Sequence, residues 1–358
     1  MDKIKILGAG VSGLTAAITL AKAGKEVEIY EAGERPNQRF DHAVHAFRNY
    51  GFESGTVEKL SKIVKLPPLK EFYRVFKFSP SLKKCEIHSK EKPIFYSFLR
   101  GESKKSIDQV LLKQAQDLGV RIFFNKTIKK SEANIIATGA KRIDGIAYGF
   151  FFKDLNIEDA VYTFYDNRYA LHGYAYILPY DKNSGDVVTT AFCCRNEFPL
   201  IKKFYFKMLK INKVISNAID GAEKVCEVIG GGNFDVPFSA NNNNQYYVGE
   251  AAGFQDGSKC FGVKFAILSG FLAAKSILEN KDYNELWKEE FKRDLVYYFK
   301  RRIIYQRMEN KDFEKMIKRL GEKISLEEHE EKKKEENPKI LDIAYPFYLL
   351  KWKLFREI

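Results

Sequence analysis

The sequence predicts an α/β fold. A Rossmann-like nucleotide-binding domain of discontinuous sequence carries an inserted antiparallel β-sheet domain and ends in a C-terminal helical region. Three observations predict it. Residues 3–31, KIKILGAGVSGLTAAITLAKAGKEVEIYE, read as strand, glycine turn, helix and strand. Residues 248–270, VGEAAGFQDGSKCFGVKFAILSG, return to a glycine-rich strand, loop and helix far along the chain. Short alternating stretches rich in aromatic and β-branched residues lie between them, and helical apolar spacing takes over after Tyr283.

The first unit follows from its residues. Lys3 to Leu7 is a short apolar strand, Leu14 to Ala23 has helical spacing and many alanines, Gly24 stops that helix, and Glu26 to Tyr30 is a second strand. Between strand and helix stand Gly8, Gly10 and Gly13. Gly8 permits the tight turn, Gly10 lets a pyrophosphate approach the backbone, and Gly13 lets the helix lie close to the sheet. Free N–H groups around Val11 and Ser12 then face the phosphates, aided by the helix dipole. Glu31, followed by Ala32, ends the second strand. An acid there accepts both hydroxyl hydrogens of an adenosine ribose and favours FAD or NAD over NADP.

The late segment separates FAD from NAD. Tyr246 to Val248 is the incoming strand, Glu250 is placed to hydrogen-bond a ribityl chain, and Gly249 and Gly253 keep the backbone slim beneath a cofactor. Gly262 and Val263 start a helix whose positive end would stabilise the negative charge of a reduced flavin. The expected cofactor is therefore FAD, held by a Rossmann-like FAD-binding domain.

These stretches, with HGYAYILPYDKNSG, resemble the geranylgeranyl reductase group of FAD-dependent oxidoreductases, within the superfamily that includes the aromatic hydroxylases. Tyr174, Tyr176 and Pro179 match the group's substrate-domain signature, with Tyr176 where Trp is common. Three departures stand out. Glu250 replaces the usual Asp, the loop before Gly262 lacks the family's Pro, and residues 133–145 (ANIIATGAKRIDG) replace the hydroxylases' Asp-Gly motif. Residues 135–139 read as a strand leading through Thr138 to a Gly139 turn near the FAD. The resemblance implies reduction of carbon–carbon double bonds in an isoprenoid substrate by hydride from the flavin. Hydroxylation or dehydrogenation of a small molecule, and flavin or lipid binding without turnover, remain as alternatives.

Further along, Arg100 precedes a helix that Ser106 caps and Gly119 ends, with Val120 to Phe124 as the next strand. In resembling proteins an Arg here reaches the cofactor. Residues 39–51, RFDHAVHAFRNYG, are expected as a loop lining the flavin, with Arg39 near the pyrophosphate and His42 or His45 as a candidate proton donor. Strands are expected over Phe72 to Phe78, Cys85 to His88, Ile94 to Leu99, Ala147 to Phe152, Ala160 to Tyr165, Tyr174 to Leu178 and Val187 to Cys193, with a hairpin turn at DKNSGD. They form an antiparallel sheet whose aromatic wall, from Tyr174, Tyr176, Phe192 and Phe261, covers the flavin. The expected division is 1–70, 100–145 and 241–280 for the FAD-binding domain, 71–99 and 146–240 for the substrate domain, and 281–358 for the helical region.

Composition bounds the partners. The 358 residues suit about two domains, and 45% hydrophobic content fills a core. A formal charge of +13 points to anionic partners, yet lysines are spread along the chain and no nucleic-acid-binding motif accompanies them. The five cysteines stand at no metal-ligand spacing, as expected of reduced thiols in a cytosolic protein without a metal. No signal-peptide stretch opens the chain, and no apolar run approaches the ~18 residues of a membrane span. A cytoplasmic location is expected. The terminal stretch gathers Tyr345, Phe347, Tyr348, Trp352 and Phe355 among Lys351, Lys353 and Arg356, which suits peripheral contact with a membrane and a lipid substrate. A second GxGxxG domain and a redox cysteine pair are both missing, so electrons come from an external donor, NADPH, NADH or ferredoxin.

Overall fold

A computed structural model describes residues 3–40, 42–242, 245–335 and 340–355, without the side chains of 333–335, 340, 341 and 355. In chain order the strands are β1 (Ile4–Leu7), β2 (Val27–Tyr30), β3 (His42–Arg48), β4 (Lys70–Phe72), β5 (Arg74–Phe78), β6 (Lys84–His88), β7 (Phe95–Gly101), β8 (Arg121–Phe123), β9 (Ile135–Ile136), β10 (Gly145–Lys153), β11 (Val161–Phe164), β12 (Ala175–Pro179), β13 (Gly185–Phe192), β14 (Glu223–Gly232), β15 (Asn241–Asn242), β16 (Gln245–Tyr247) and β17 (Lys323–Ser325). The helices are α1 (Val11–Lys22), α2 (Thr56–Ser61), α3 (Ile107–Asp117), α4 (Ile201–Ile211), α5 (Lys213–Ala218), α6 (Val263–Glu279), α7 (Tyr283–Tyr305), α8 (Asn310–Leu320), α9 (Leu326–Glu335) and α10 (Ile340–Phe355).

Three sheets organise them. The first runs β15-β16-β9-β1-β2-β8, all parallel except the β15–β16 edge. Its central strands are largely buried, with Ile4, Ile6, Val27 and Ile29 on one face and Leu7 and Tyr30 beside Lys5 and Glu28 on the other. The second has eight strands in the order β14-β10-β13-β12-β11-β5-β6-β17, antiparallel save for β11–β5 and β6–β17. The third is the antiparallel trio β3-β7-β4.

The first unit falls where its residues place it. Ser106 caps α3, its hydroxyl accepting from the Gln109 N–H at 3.2 Å. Gly24 and Gly119 end their helices in the left-handed region. α1 lies across α6, and Gly270 of α6 sits at the crossing, where a Cβ would come within 2.2 Å of the Ser12 carbonyl oxygen.

Three expectations are corrected. The stretch 39–51 is not a loop: residues 42–48 form β3, paired with β7 from His42↔Gly101 to Arg48↔Phe95. Its buried Ala43, Val44, Ala46 and Phe47 find their partners some 50 residues away, which local reading does not reveal. Phe72 to Phe78 is not one strand; it divides at Tyr73 into β4 and β5, which join different sheets. The C-terminal region is not helical throughout, because β17 pairs parallel with β6 at the edge of the second sheet.

Beyond it, α10 docks by one side. Trp352 is buried and stacks on Phe234 at 4.9 Å, and Lys353 pairs with Asp235 at 2.5 Å. Arg356 and the Phe355 side chain lie outside the described residues. Among the described residues, no helix is long and apolar enough to cross a membrane.

The α1–α6 crossing makes a prediction. Gly270→Ala improves helix propensity by about 1 kcal/mol, but its methyl meets backbone that cannot swing aside. The expected outcome in urea unfolding is a net loss of about 1–3 kcal/mol. Unchanged stability would show that the two helices separate freely.

Candidate functional site

Two connected cavities occupy the join between the first and second sheets. The first is an elongated cleft of about 690 Å³ at the C-terminal ends of β1, β2 and β9. Its floor is the β1–α1 turn. Gly8, at φ 107°, and Gly10 line it, with Val11 and Ser12 of the first turn of α1. No side chain caps α1 and no acid stands in that turn, so its N–H groups are left for a ligand. Glu31 closes the far end. Its carboxylate accepts from the Ala9 N–H at 2.6 Å and the Gly33 N–H at 2.9 Å, which holds it rigid. Ala32, Thr138 and Gly139 complete that wall.

Gly262 and Val263 bring the N-terminus of α6 to the other end, again with no side-chain cap. Glu250 lies beside them. Three glycines expected around the cofactor support the cleft from behind. A Cβ at Gly13 would lie 2.1 Å from the Gly8 carbonyl oxygen; Gly249 backs onto Ser12 and Gly253 onto Asp235.

The charged residues are committed to each other. Arg39 reaches Glu250 Oε1 at 3.3 Å and the Gly231 carbonyl at 3.1 Å, tying the cleft to β14. Arg100 is buried in β7, not at a helix entry. It is held in a fork by Asp108 at 2.9 and 3.0 Å and contacts His45 Nδ1 at 3.2 Å. Burial, Arg100 and Arg39 push the His45 pKa well below its ordinary value, so this imidazole is neutral. His42 lines neither cavity and packs edge-on against Phe151 at 4.2 Å.

The second cavity, about 150 Å³, opens from the first at Arg39, His45, Glu250, Gln255, Cys260 and Gly262. One face of the eight-stranded sheet forms it. Tyr174, Tyr176 and Phe192 stand on that face, with Phe261 from the loop before α6. Tyr174 lies 5.7 Å from Tyr176 and stacks on Phe192 at 6.4 Å. Room for a ligand comes from Gly145, Ala147 and Gly230 to Gly232 on the neighbouring strands.

Behind this wall is a network that local reading did not anticipate. Arg48 pairs with Glu53 at 3.0 Å and Asp256 at 2.9 Å, donates to Tyr298 at 2.6 Å, and lies 4.8 Å from the Phe261 ring. Asp256 also accepts from the Ser258 hydroxyl and the Ser258 and Lys259 N–H groups, which shapes the loop. Lys259 is held between the Tyr165 and Tyr174 rings, and burial lowers its pKa. Asp186, fully buried on the same sheet face, accepts from the Val44 N–H at 2.8 Å.

Two acceptors mark the boundary between cavities. Glu250 Oε2 and Gln255 Oε1 are buried without a hydrogen-bond partner among the described residues. Orphaned acceptors of this kind call for donors from a ligand. With the bare α1 turn and Glu31, they match what the hydroxyls, pyrophosphate and ring N–H of FAD require. Gln255 carries no motif, and only its position after the glycine segment could have signalled it.

The family model for NAD(P)-binding Rossmann-like domains matches residues 6–60. No curated protein sequence matches the chain. Among solved structures, a geranylgeranyl bacteriochlorophyll reductase-like protein from Thermoplasma acidophilum is similar with a TM-score of 0.77 and 16% identity, over 96% of this chain and 98% of that one. A flavin-dependent brominase gives 0.58 and 15%, over 89% and 93%. PqsL from P. aeruginosa, in complex with 2-aminobenzoylacetate, gives 0.59 and 12%, over 87% and 98%. These likenesses are of fold. The predicted α/β architecture is the observed one, and the resemblance to the geranylgeranyl reductase group holds at that level.

Asp186 supplies a test. Burial raises its pKa well above the ordinary carboxylate value, whereas unfolded it ionises near ~3.9. Folding therefore binds a proton. The stabilising contribution is complete below ~3.9 and is lost as pH rises toward the folded value. Asp186→Asn keeps an acceptor for Val44 and removes the charge. In urea unfolding at pH 5 and pH 8, the variant is expected to gain on the parent as pH rises; parallel behaviour would show the folded carboxyl to be ionised already.

Proposed function

We propose that this chain is an FAD-dependent oxidoreductase that reduces carbon–carbon double bonds of an isoprenoid substrate, drawing electrons from an external donor. The observation that carries the reading is the continuity of the two cavities. A cleft with the chemistry of a dinucleotide site runs under the α6 N-terminus into an aromatic-walled cavity. FAD bound there would supply hydride transfer. The protein's own residues do the rest. Glu31 takes the ribose hydroxyls, the α1 N-terminus the pyrophosphate, and Glu250 and Gln255 the donors nearer the ring. The α6 N-terminus favours negative charge at the ring edge, and Tyr174, Phe192 and Phe261 exclude water.

A second reading has an observation of its own. A cavity of about 150 Å³ is the size that holds one benzene ring. A long isoprenoid chain has to enter it piecemeal, whereas a small ring fits whole. Dehydrogenation or hydroxylation of a small molecule on the same flavin is the corresponding activity. Air reoxidation of the reduced protein separates the two, since hydroxylation couples oxygen consumption to product.

An absorption spectrum before and after anaerobic dithionite tests the cofactor. An oxidised-flavin spectrum that bleaches is expected, and Glu31→Ala is expected to weaken FAD binding about tenfold or more by losing charge-assisted hydrogen bonds. A colourless protein that takes up no FAD overturns the proposal.

The lipid part of the reading draws on α10. Ile343, Phe347, Leu350 and Leu354 recur at helical spacing and are exposed, opposite buried Leu349 and Trp352. Flotation with anionic vesicles is expected to carry the chain upward, and Phe347→Asp with Leu350→Asp to abolish it. Equal flotation of parent and variant removes the membrane from the proposal.

A further inference from the structure

His45 stands where the two cavities meet and lines both of them. Its neighbours on β3, Ala43, Val44, Ala46 and Phe47, are buried, whereas His45 is half-buried. Phe40 packs edge-on against the ring at 5.2 Å, and Phe98 lies at 6.4 Å. Among the described residues the ring makes one hydrogen bond, at Nδ1, which is 3.2 Å from an Arg100 Nη.

That bond places the proton. A guanidinium has five N–H donors and no acceptor, so Nδ1 accepts and carries no hydrogen. The single N–H of the neutral ring is then on Nε2. Arg100 is not free to turn away. Asp108 holds it in a fork at 2.9 and 3.0 Å, and Asp108 in turn accepts from the Gly101 N–H at 2.9 Å and from Asn37 at 2.6 Å. The charged groups around the ring are Arg100 on β7 and Arg39 before β3, each bound to a carboxylate, Asp108 and Glu250. Burial and the two guanidinium groups disfavour an imidazolium. His45 Nε2 bonds to no described residue and, unlike Nε2 of His42, is not sealed in the interior. A fixed N–H donor is thereby left for whatever fills the junction.

The junction has a use for it. The protein offers two unpartnered acceptors there, Glu250 Oε2 and Gln255 Oε1, and the uncapped N–H groups that start α6. The pyrimidine side of a flavin ring presents an N–H between two carbonyl oxygens. Gln255 matches the N–H in kind and the α6 turn matches one oxygen, which leaves the other oxygen to His45.

We propose that His45 is a cofactor-binding residue, donating from Nε2 to a carbonyl oxygen of the FAD ring, and that it is not the proton donor of the reaction. A flavin's carbonyl oxygens gain negative charge on reduction, and a donor backed by the Arg100 cation stabilises that state more than the oxidised one. To protonate a substrate, this ring would have to become an imidazolate. Arg100 and Asp108 are positioning residues, acting through the tautomer they impose. The inference rests on the FAD-dependent reading of the cleft and deepens it.

The midpoint potential of the flavin-loaded full chain tests it, by reductive titration against a reference dye. His45→Phe keeps a ring against Phe40 and Phe98 and removes both nitrogens. It is expected to weaken binding of reduced FAD about tenfold relative to oxidised FAD, as loss of one charge-assisted hydrogen bond would. For a two-electron couple that lowers the potential by about 30 mV. His45→Gln accepts from Arg100 through its carbonyl and donates through its amide, so it is expected to restore most of the shift. NMR of the parent with nitrogen-labelled histidine needs no variant. His45 is expected to keep its one proton on Nε2 from pH 5 to pH 8, and FAD to move that N–H resonance. An unchanged potential in His45→Phe, an equal loss in the Phe and Gln variants, a doubly protonated ring within that range, or an N–H resonance that FAD leaves in place overturns the proposal. A chain that takes up no FAD overturns it together with the flavoenzyme reading. A flavin-loaded chain that shows the shift and reduces no isoprenoid leaves this inference standing and removes the substrate from that reading; one that reduces an isoprenoid with a potential indifferent to His45 does the reverse.

Discussion

The molecule depends on α1 lying against α6 at backbone distance. Segments 250 residues apart in sequence are brought together there, and the dinucleotide cleft is the space between their N-terminal ends. Gly13 lets α1 sit on the β1 turn, and Gly270 lets α6 sit on α1. Neither position tolerates a methyl group without moving main chain. Two helix N-termini are thereby aimed into one cleft, and their uncapped N–H groups concentrate positive potential where an anionic cofactor would lie.

A second constraint sets the aromatic cavity. Arg48 on β3 joins Glu53, Asp256 and Tyr298, elements from three separate parts of the chain, in a fully buried cluster. Removing charges from water is costly, and such a cluster adds little net stability over an apolar replacement. Its effect is positional. Asp256 organises the loop that ends in Phe261 and Gly262, so the cluster fixes the aromatic wall relative to the α6 N-terminus. Lys264 extends it, pairing with Glu53 at 3.1 Å and Asp294 at 2.7 Å and so locking the first turn of α6 to α7. The floor of the second cavity is a contrast within one sheet face: aromatics on β12 and β13, glycines and alanine on β10 and β14. That contrast leaves a chamber where a uniformly bulky face would have closed it.

Much of the cleft was legible because its chemistry is local. The turn, helix and acid of residues 3–31 lie within a single βαβ unit, and each glycine has a reason that sequence spacing displays. The late segment was legible for a similar reason, since Gly249 to Val263 is again one strand–loop–helix. Arg100 and Arg39 both line the cleft, but no local signal in the sequence shows their partners. Asp108, His45 and Glu250 engage them through tertiary contacts, and a charge already neutralised acts differently from a free one. β3 shows no strand signal along the chain because its pairing with β7 spans about 50 residues, and the buried acceptor of Gln255 carries no motif at all.

By itself, then, the sequence determined the fold class, the nucleotide turn and the return segment, because periodicity and glycine placement act within a few residues of one another. Only the tertiary structure decided which residues of the aromatic stretches share a face, that burial and two guanidinium groups hold His45 toward its neutral form, and that His42 packs on Phe151 outside the cleft. Register, burial and the pairing of charges are properties of contacts between distant segments. They come into being when the sheets assemble, and no reading along the chain contains them.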